Sequence, residues 1–407
     1  MRTGSDMVPG WRAAWHQGRR LDSPLARIIA AVIIAAGLYL GWRIGIRLWA
    51  PIMSGNLVFN DLFAHWSYAR FAVTHPGPAI YDNDAIHAFQ ASLFPGRLQS
   101  LPYAYPPPYL FLVLPLAAFS LWHAAILWTL ASVAAYLVAV LAGRWRLWPV
   151  LLAALGPATV ICIAYGQNGL LIAALLIGGL RLLPTRPGWA GMLLAMACVK
   201  PQMAVLLPVA LLAGQQWRAI GSATITGLAL VLASAAWISP QAWLGWFDAI
   251  QGQGDYAATW ISAYRQVTVS AAMKLLGLDR TTGLLVQAAV AALVALGVAI
   301  ARRRGPTLPA ACTLLAGILL VTPYGFLYDL PVAAAAAFGL ARARDSLPWP
   351  EAAILTATLL LPALLHLTSR FFWTGPLTLA ALFLLCLVRS FREDAASRAD
   401  ASASTHP

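Results

Sequence analysis

The amino-acid sequence predicts an all-α fold: a polytopic transmembrane bundle of about 11–13 hydrophobic helices, with interfacial helices in its first external loop. Three observations predict it. Apolar stretches of helix length recur from Ala26 almost to Arg389, and lipid tolerates such stretches only as helices or closed barrels, because it offers backbone groups no water partner. Only 10% of the 407 residues are charged, against about 25% in soluble domains, and mean hydropathy is +0.73. The basic residues behind the net charge of +13 stand singly or in small groups between apolar runs: Arg144/Arg146, Arg181/Arg186, Arg302–Arg304 and Arg342/Arg344. That distribution is the one cytoplasmic loops carry. It lacks the basic patch interleaved with exposed aromatics that nucleic acid requires, so nucleic acid is not an expected partner.

Residues 1–24 are polar and basic and read as a cytoplasmic tail, followed by one integral membrane domain over 25–390. No small-residue cleavage pattern follows a short apolar core, so 25–49 reads as a retained helix rather than a signal peptide. Residues 50–104 form a first external loop, punctuated by Gly55, Pro76, Gly77, Pro78, Pro95 and Gly96. Helical runs follow near 105–119, 121–142, 148–164, 169–183, 188–213 (interrupted at Lys200-Pro201) and 219–238. A second polar loop is expected over 239–266, then runs near 267–301, 308–321, 326–341, 350–367 and 372–389. The polar tail 391–407 is expected to be cytoplasmic and disordered. Cys162, Cys198, Cys312 and Cys386 all fall within apolar runs and read as buried thiols, not as disulfides or zinc ligands.

Two threadings compete. Twelve full crossings leave Arg144/Arg146 and Arg181/Arg186 outside, against the charge bias. If 105–119 is instead a partial helix and 188–213 is two segments meeting at Lys200, those arginines return to the cytoplasm. Both threadings keep 50–104, 239–266 and the 322–330 turn external.

Several stretches place polar groups where lipid makes them costly. In SGNLVFNDLFAHWSYAR a helix over 57–73 would line up Asp61, His65, Tyr68 and Ala72 on one face, beside an apolar face of Leu62, Trp66, Ala69 and Val73, with Arg70 close by. Such a helix would lie in the interface with its polar face above the bundle. Asp61 can there act as a general base or simply cap or solvate a surface helix. Asp82 and Asp84 suit capping, or contacts to a metal or a sugar. Tyr105 precedes three prolines, a stiff entry that can roof a pocket or merely join loop to helix. Gln167-Asn168 interrupts two apolar runs and can bind hydroxyls or phosphate, or cap the next helix. Lys200 lies inside an apolar run, where a charge is expensive: it binds a lipid-borne phosphate or snorkels to the interface. Tyr324, Tyr328 and Asp329 occupy a turn between Pro323 and Pro331, while Asp248, Asp255, Tyr256, Trp260, Tyr264 and Arg265 give the second loop a carbohydrate-like or plainly interfacial character. No GxxxxGK[ST], HExxH or GxSxG motif occurs, so no cofactor or nucleotide pocket is implied.

The segments NDLFAHWSYAR with IYD, YAYPPPYLFLVLPLA, YGQNGLLIAALL, ACVKPQMAVLLPVALLAG and LLVTPYGFLYDLPV, in that order across about residues 25–390, resemble the bacterial polyprenyl-phosphate-sugar-dependent glycosyltransferases typified by mycobacterial alpha-1,2-mannosyltransferases. The resemblance implies the C-type glycosyltransferase fold in the bacterial inner membrane. It implies a polyprenyl-phosphate-linked sugar donor and a glycolipid or glycan acceptor, met on the periplasmic or exterior face among membrane lipids. It also implies a catalytic aspartate at Asp61, with substrate contacts expected from His65, Tyr68, Arg70, Tyr105, Gln167, Asn168, Lys200, Arg265, Tyr328 and Asp329. The family's better-studied branch carries a histidine in a late SP-x-x-W-x-H motif. Here TPYGFLYD stands in that place, so mannose specificity does not carry over by motif. A lipid or polysaccharide transporter, or a non-catalytic membrane scaffold, is the rival expectation. A transporter needs polar groups strung from face to face, whereas here they gather in the external loops.

Overall fold

The computed structural model describes residues 24–53, 61–75, 77–93, 101–257, 266–343, 347–367 and 373–403. In chain order the helices are α1 (Pro24–Met53), α2 (Asp61–Thr74), α3 (Asn83–Leu93), α4 (Tyr109–Val113, continued by a 3-10 turn over Leu114–Ala118), α5 (Leu121–Leu141), α6 (Leu147–Leu155), α7 (Pro157–Tyr165), α8 (Gly169–Leu182), α9 (Pro187–Met196), α10 (Leu207–Ala213), α11 (Trp217–Trp237), α12 (Gln241–Ala257), α13 (Val269–Leu275), α14 (Arg280–Arg303), α15 (Leu308–Val321), α16 (Pro331–Arg342), α17 (Trp349–Leu367) and α18 (Thr374–Ala403). Among the described residues there is no strand, only an isolated bridge between Gln266 and Phe326.

Among the described residues six helices, α1, α5, α11, α14, α17 and α18, are each long and apolar enough to cross a membrane. The pair α6–α7, bent by 43°, is together apolar enough for a broken span or a re-entrant loop. The bend follows from Gly156-Pro157: Gly156 is extended (φ −64°, ψ 153°) and Pro157 opens a new helix, since proline disfavours helical geometry in the residue before it. The same chemistry divides 188–213. Lys200, ahead of Pro201, leaves helical geometry (φ −124°, ψ 79°), and 3-10 turns over Ala197–Val199 and Pro201–Met203 reverse the chain between α9 and α10.

Contacts between side chains define the two ends of the bundle. At one end Arg181 Nη1 donates to Ala139 O at 2.5 Å, Arg389 lies against Leu340 O at 3.5 Å, and Arg304 stands 3.9 Å from the Phe391 ring. At the other, Phe111 stacks on Trp237, Gly245 packs on Tyr81, and Val267 N donates to Gly325 O at 2.9 Å. The first loop, the 241–257 segment and the 322–330 turn therefore share one end. The 109–118 helix stays at that end too, because Trp66 Nε1 donates to Phe119 O at 2.9 Å. This is the second threading: a partial helix at 109–118 and two segments meeting at Lys200, with Arg144, Arg146, Arg181, Arg302–Arg304 and Arg342 all at the far end.

Several expectations are corrected. The polar loop over 239–266 is largely a helix, α12, whose exposed Leu244 and Phe247 with half-buried Trp243 and Trp246 give it an apolar side. The tail after residue 390 continues helically to Ala403. The run 267–301 is two helices, parted where Gly277 turns left-handed at φ +86°. Cys198 is exposed, unlike the other three cysteines. The segment of the expected 57–73 helix that is described begins at Asp61, and α2 does not lie on the surface with one polar face. Leu62 to Ala69 and Phe71 are all buried, so both faces are covered.

Small residues let helices touch. A Cβ on Gly37 of α1 would stand 2.0 Å from Leu155 O, at the α6–α7 break, and one on Gly191 of α9 would stand 2.1 Å from Ala219 O of α11. Gly37→Ala is expected to destabilise the protein by about 1–3 kcal/mol, the usual cost of overpacking, read as a lower melting temperature in detergent. An unchanged melting temperature would mean that α1 does not rest on the break.

Candidate functional site

Three turns at one end of the bundle supply the floor of the site. The first is Gly166–Gly169 between α7 and α8, where Gly166 takes the left-handed conformation (φ +70°) that ends α7. The second is the break at Lys200. The third is the 3-10 turn Leu327–Asp329 ahead of α16. These turns sit low because the helices that carry them are short. Helix α8 has 14 residues, about 21 Å at 1.5 Å per residue, against a hydrocarbon core of about 30 Å. Helix α15 also has 14 residues and α16 has 12.

Lys200, Asn168 and Asp329 are all buried and bonded together. Lys200 Nζ donates to Asp329 Oδ1 in an ion pair and to Asn168 Oδ1 at 3.1 Å. Asp329 Oδ2 accepts the Phe326 amide at 3.0 Å, so both its oxygens are used. The Tyr328 ring lies 5.3 Å from Nζ. An ammonium has no lone pair, so it fixes which end of the Asn168 amide faces it. The amide nitrogen then donates to Tyr109 Oη at 3.2 Å, and that hydroxyl stands 3.1 Å from His65 Nδ1. The Tyr109 hydroxyl and the neutral His65 imidazole meet in a hydrogen bond at the end of this chain of contacts. Asn168 occupies the N-cap position of α8 but its side chain does not cap. Gln167 is buried beside it, its Oε1 accepting Asn168 N at 3.3 Å. Close approach is possible because residue 169 is glycine: a Cβ there would stand 2.0 Å from Tyr328 O.

The roof is α2 and the segment leading into α4. Pro106, Pro107 and Pro108 lend their carbonyls to the amides of Tyr109, Leu110 and Phe111 and supply no N–H of their own, which suits a helix start. Tyr105 and Tyr109 flank the prolines and stack at 3.8 Å. Tyr68 donates to the Leu101 and Pro102 carbonyls at 3.1 and 2.8 Å, and Gln90 clamps Leu101 in both directions at 3.1 Å. His65 is ringed by Tyr68, Tyr105, Tyr109 and Trp128. Burial, then the charge of Lys200, hold its imidazole down to about 3.

Asp61, Tyr105 and Tyr328 are half-buried and form the rim. Asp61 opens α2, one helical turn before His65. Its charge helps raise the Tyr68, Tyr105 and Tyr328 hydroxyls above their ordinary range, after burial as the main cause. Those hydroxyls stay protonated; that of Tyr68 is already given to the Leu101 and Pro102 carbonyls. The other candidates lie apart. Arg70 is exposed, over the Trp66 ring at 5.0 Å. Asp82 caps α3 through the Asp84 and Ala85 amides, and Asp84 is exposed in the first turn of that helix. Arg265 lies outside the described residues. Among the described residues no three His, Cys, Asp or Glu side chains gather as metal ligands. Sequence reasoning missed Tyr109 and Gln90. The symmetric YPPPY was the available signal for Tyr109, and nothing in the sequence pointed to Gln90.

The helical bundle thus gathers one ion pair, two carboxamides and several tyrosines into a buried cluster. The profile of glycosyltransferase family 87 matches residues 103–323, more than half of the chain, and the protein belongs to that family. It is thus a membrane glycosyltransferase. The match includes Tyr105, Tyr109, Asn168 and Lys200, while Asp61, His65 and Asp329 lie outside it. No curated protein and no solved structure matches the chain.

Two expectations follow. Lys200→Met strands a buried carboxylate and should cost about 3–5 kcal/mol, whereas Lys200→Met combined with Asp329→Leu should cost less than the single change. Unfolding of the purified variants measures both. His65 titrates near 3 in the folded protein and near 6.5 unfolded. Between those values the unfolded chain binds more protons, so stability should fall as pH drops from 6.5 towards 3. His65→Gln should flatten that part of a melting-temperature profile against pH.

Proposed function

We propose that the protein transfers a hexose, such as mannose, from a polyprenyl-phosphate-linked donor to a hydroxyl of a glycolipid or glycan acceptor. The transfer inverts the anomeric centre and takes place on the non-cytoplasmic face of the bacterial inner membrane. The observation that carries this reading is a half-buried carboxylate, Asp61, at the rim of a cluster whose floor holds the Lys200 ammonium. Asp61 accepts the proton of the acceptor hydroxyl as that oxygen attacks the anomeric carbon. The bond from that carbon to the phosphate oxygen breaks, and polyprenyl phosphate leaves with the electron pair.

The leaving phosphate gains negative charge, and a preorganised cation in a dry site lowers the barrier to that step. Lys200 suits the role: its charge is balanced by Asp329 in the free protein, and the developing phosphate charge would compete for it. Tyr105 and Tyr328 offer protonated hydroxyls and ring faces to a sugar, while the Tyr68 hydroxyl is committed to the Leu101 and Pro102 carbonyls. A donor that already carries its phosphate on a lipid needs no nucleotide pocket, in keeping with the missing phosphate loops. The outward orientation rests on the arginines gathered at the opposite end, the cytoplasmic signature. Between the two ends, α15 and α16 are buried and apolar over nearly their whole length, with no ladder of polar groups along which a transported lipid head could pass.

The purified protein offered radiolabelled polyprenyl-phosphate sugars and membrane lipid extract should transfer label. Asp61→Asn should reduce transfer by about 10²–10⁴-fold, the contribution of a general base. Full transfer by Asp61→Asn would remove the base from the mechanism, and lipid movement between leaflets without transfer would replace the enzyme with a transporter.

A further inference from the structure

The surface of α12 divides into three sides. Ala242, Gly245 and Ala249 follow one another at three- and four-residue spacing and form the first. Ala242 is fully buried, and a Cβ on Gly245 would stand 3.0 Å from the Tyr81 Cβ, so this side rests on the 3-10 turn Pro78–Tyr81. Trp243, Trp246, Phe247 and Ile250 recur at the same spacing and form the second side, where the Trp246 ring stands 5.6 Å from that of Trp243 and 5.2 Å from that of Phe247. Phe247 and Ile250 are 56% and 42% exposed. Gln241, Leu244, Asp248 and Gln251, all exposed, make up the third side, polar but for the leucine. At 3.6 residues per turn the three sides lie about 120° apart.

Protein covers the first side, and the polar side suits water. The second side calls for an apolar surface, since large apolar side chains in a row mark a place of contact. Position along the chain names that surface. Helix α11 is long and apolar enough to cross the membrane and turns Ile225, Leu228 and Leu232 outward, each more than half exposed. It ends at Trp237. Residues 238–240 can carry the chain about 14 Å at most from Trp237 to Gln241. Helix α12 therefore begins within reach of the head groups, and its apolar side continues the lipid-facing surface of α11. Tryptophan suits that level, where one part of the ring meets acyl chains and the other meets water. Tyr81, the seat of Gly245, donates to Tyr105 O at 2.8 Å, which ties α12 to the rim of the Lys200 cluster.

We propose that α12 is a docking surface for the lipid leaflet on the side of the Lys200 cluster. It lies in the plane of the interface, with Trp243, Trp246, Phe247 and Ile250 set towards the acyl chains, its small residues on Tyr81 and its polar side to water. A helix with one apolar side and one polar side binds a bilayer in this way. Through Tyr81 and Tyr105 the leaflet then fixes the depth of the rim. The placement needs none of the chemistry assigned to the cluster, so it stands or falls independently of the proposed transfer reaction.

The test uses the full-length protein with Cys198→Ala, which removes the exposed thiol and leaves the buried cysteines in place. Gln241→Cys, Phe247→Cys, Asp248→Cys and Ile250→Cys are made one at a time at exposed positions, labelled with a nitroxide and reconstituted into vesicles of phosphatidylethanolamine and phosphatidylglycerol. Electron paramagnetic resonance with oxygen and a water-soluble nickel chelate as relaxing agents reads the depth of each label. Labels at 247 and 250 should favour oxygen and lie about 5–10 Å into the leaflet, while those at 241 and 248 should favour the chelate. Chelate access at 247 and 250 equal to that at 241 and 248 would overturn the proposal, because the apolar side would then face water. Shielding of 247 and 250 from both agents would also overturn it and give the side to a protein partner, a second copy of the chain included. Gly245→Leu, whose side chain would meet Tyr81, should raise chelate access at 247; unchanged depths in that variant would remove Tyr81 as the seat.

Discussion

The buried ion pair between Lys200 and Asp329 is the interaction on which the rest of the site depends. An ammonium or a carboxylate alone in this interior would be strongly unfavourable, and together each supplies the partner the other lacks. The residues are 129 positions apart in the chain. Their pairing draws the break between α9 and α10 onto the turn before α16, and Asn168 brings the α7–α8 turn to the same point. The pair also sets a polarity. Because the ammonium can only donate, it turns the Asn168 amide nitrogen towards Tyr109, and burial holds the imidazole under the roof neutral.

Much of this was legible in the sequence, for one physical reason: lipid penalises polar groups, so those that persist inside apolar runs stand out. Gln167-Asn168, Lys200 and Asp329 were visible on that ground, and Pro201 marked the break beside the lysine. The reversal at Lys200 and the partial helix before α5 were visible too, as one of two threadings. Their selection needed the contacts between helix ends, because charge bias alone does not say which short run stops halfway. The helix over 241–257 was hidden because a mixture of tryptophans, glycines and polar residues reads equally well as an interfacial loop. The roof was misjudged for the opposite reason. The spacing of Asp61, His65 and Tyr68 describes one face of α2 correctly, but no local pattern announces that the 101–109 segment and α5 cover that face. Gln90 and Tyr109 act through partners 11 and 59 residues away, a distance at which local pattern is silent.

Charge is divided between the ends with little mixing. The end with the ion pair carries Asp61, Asp82, Asp84, Asp248 and Asp279 with a few cations such as Arg70, Lys274 and Arg280. The other carries most of the arginines and the buried pair of Arg389 with Glu351. Thus the carboxylate rim and most of the arginines lie at opposite ends of the bundle.

The short helices have a consequence for how the protein meets its bilayer. Helices α15 and α16 are buried along nearly their whole length, while α11 and α14 turn rows of leucine outward. Matching to membrane thickness is therefore a task for the outer ring alone. The inner helices, shielded from acyl chains, are free to end well short of the far head groups without thinning the bilayer around them. A change of lipid chain length would be felt by α11 and α14 as tilt, and the inner turns would ride with the ring as a unit.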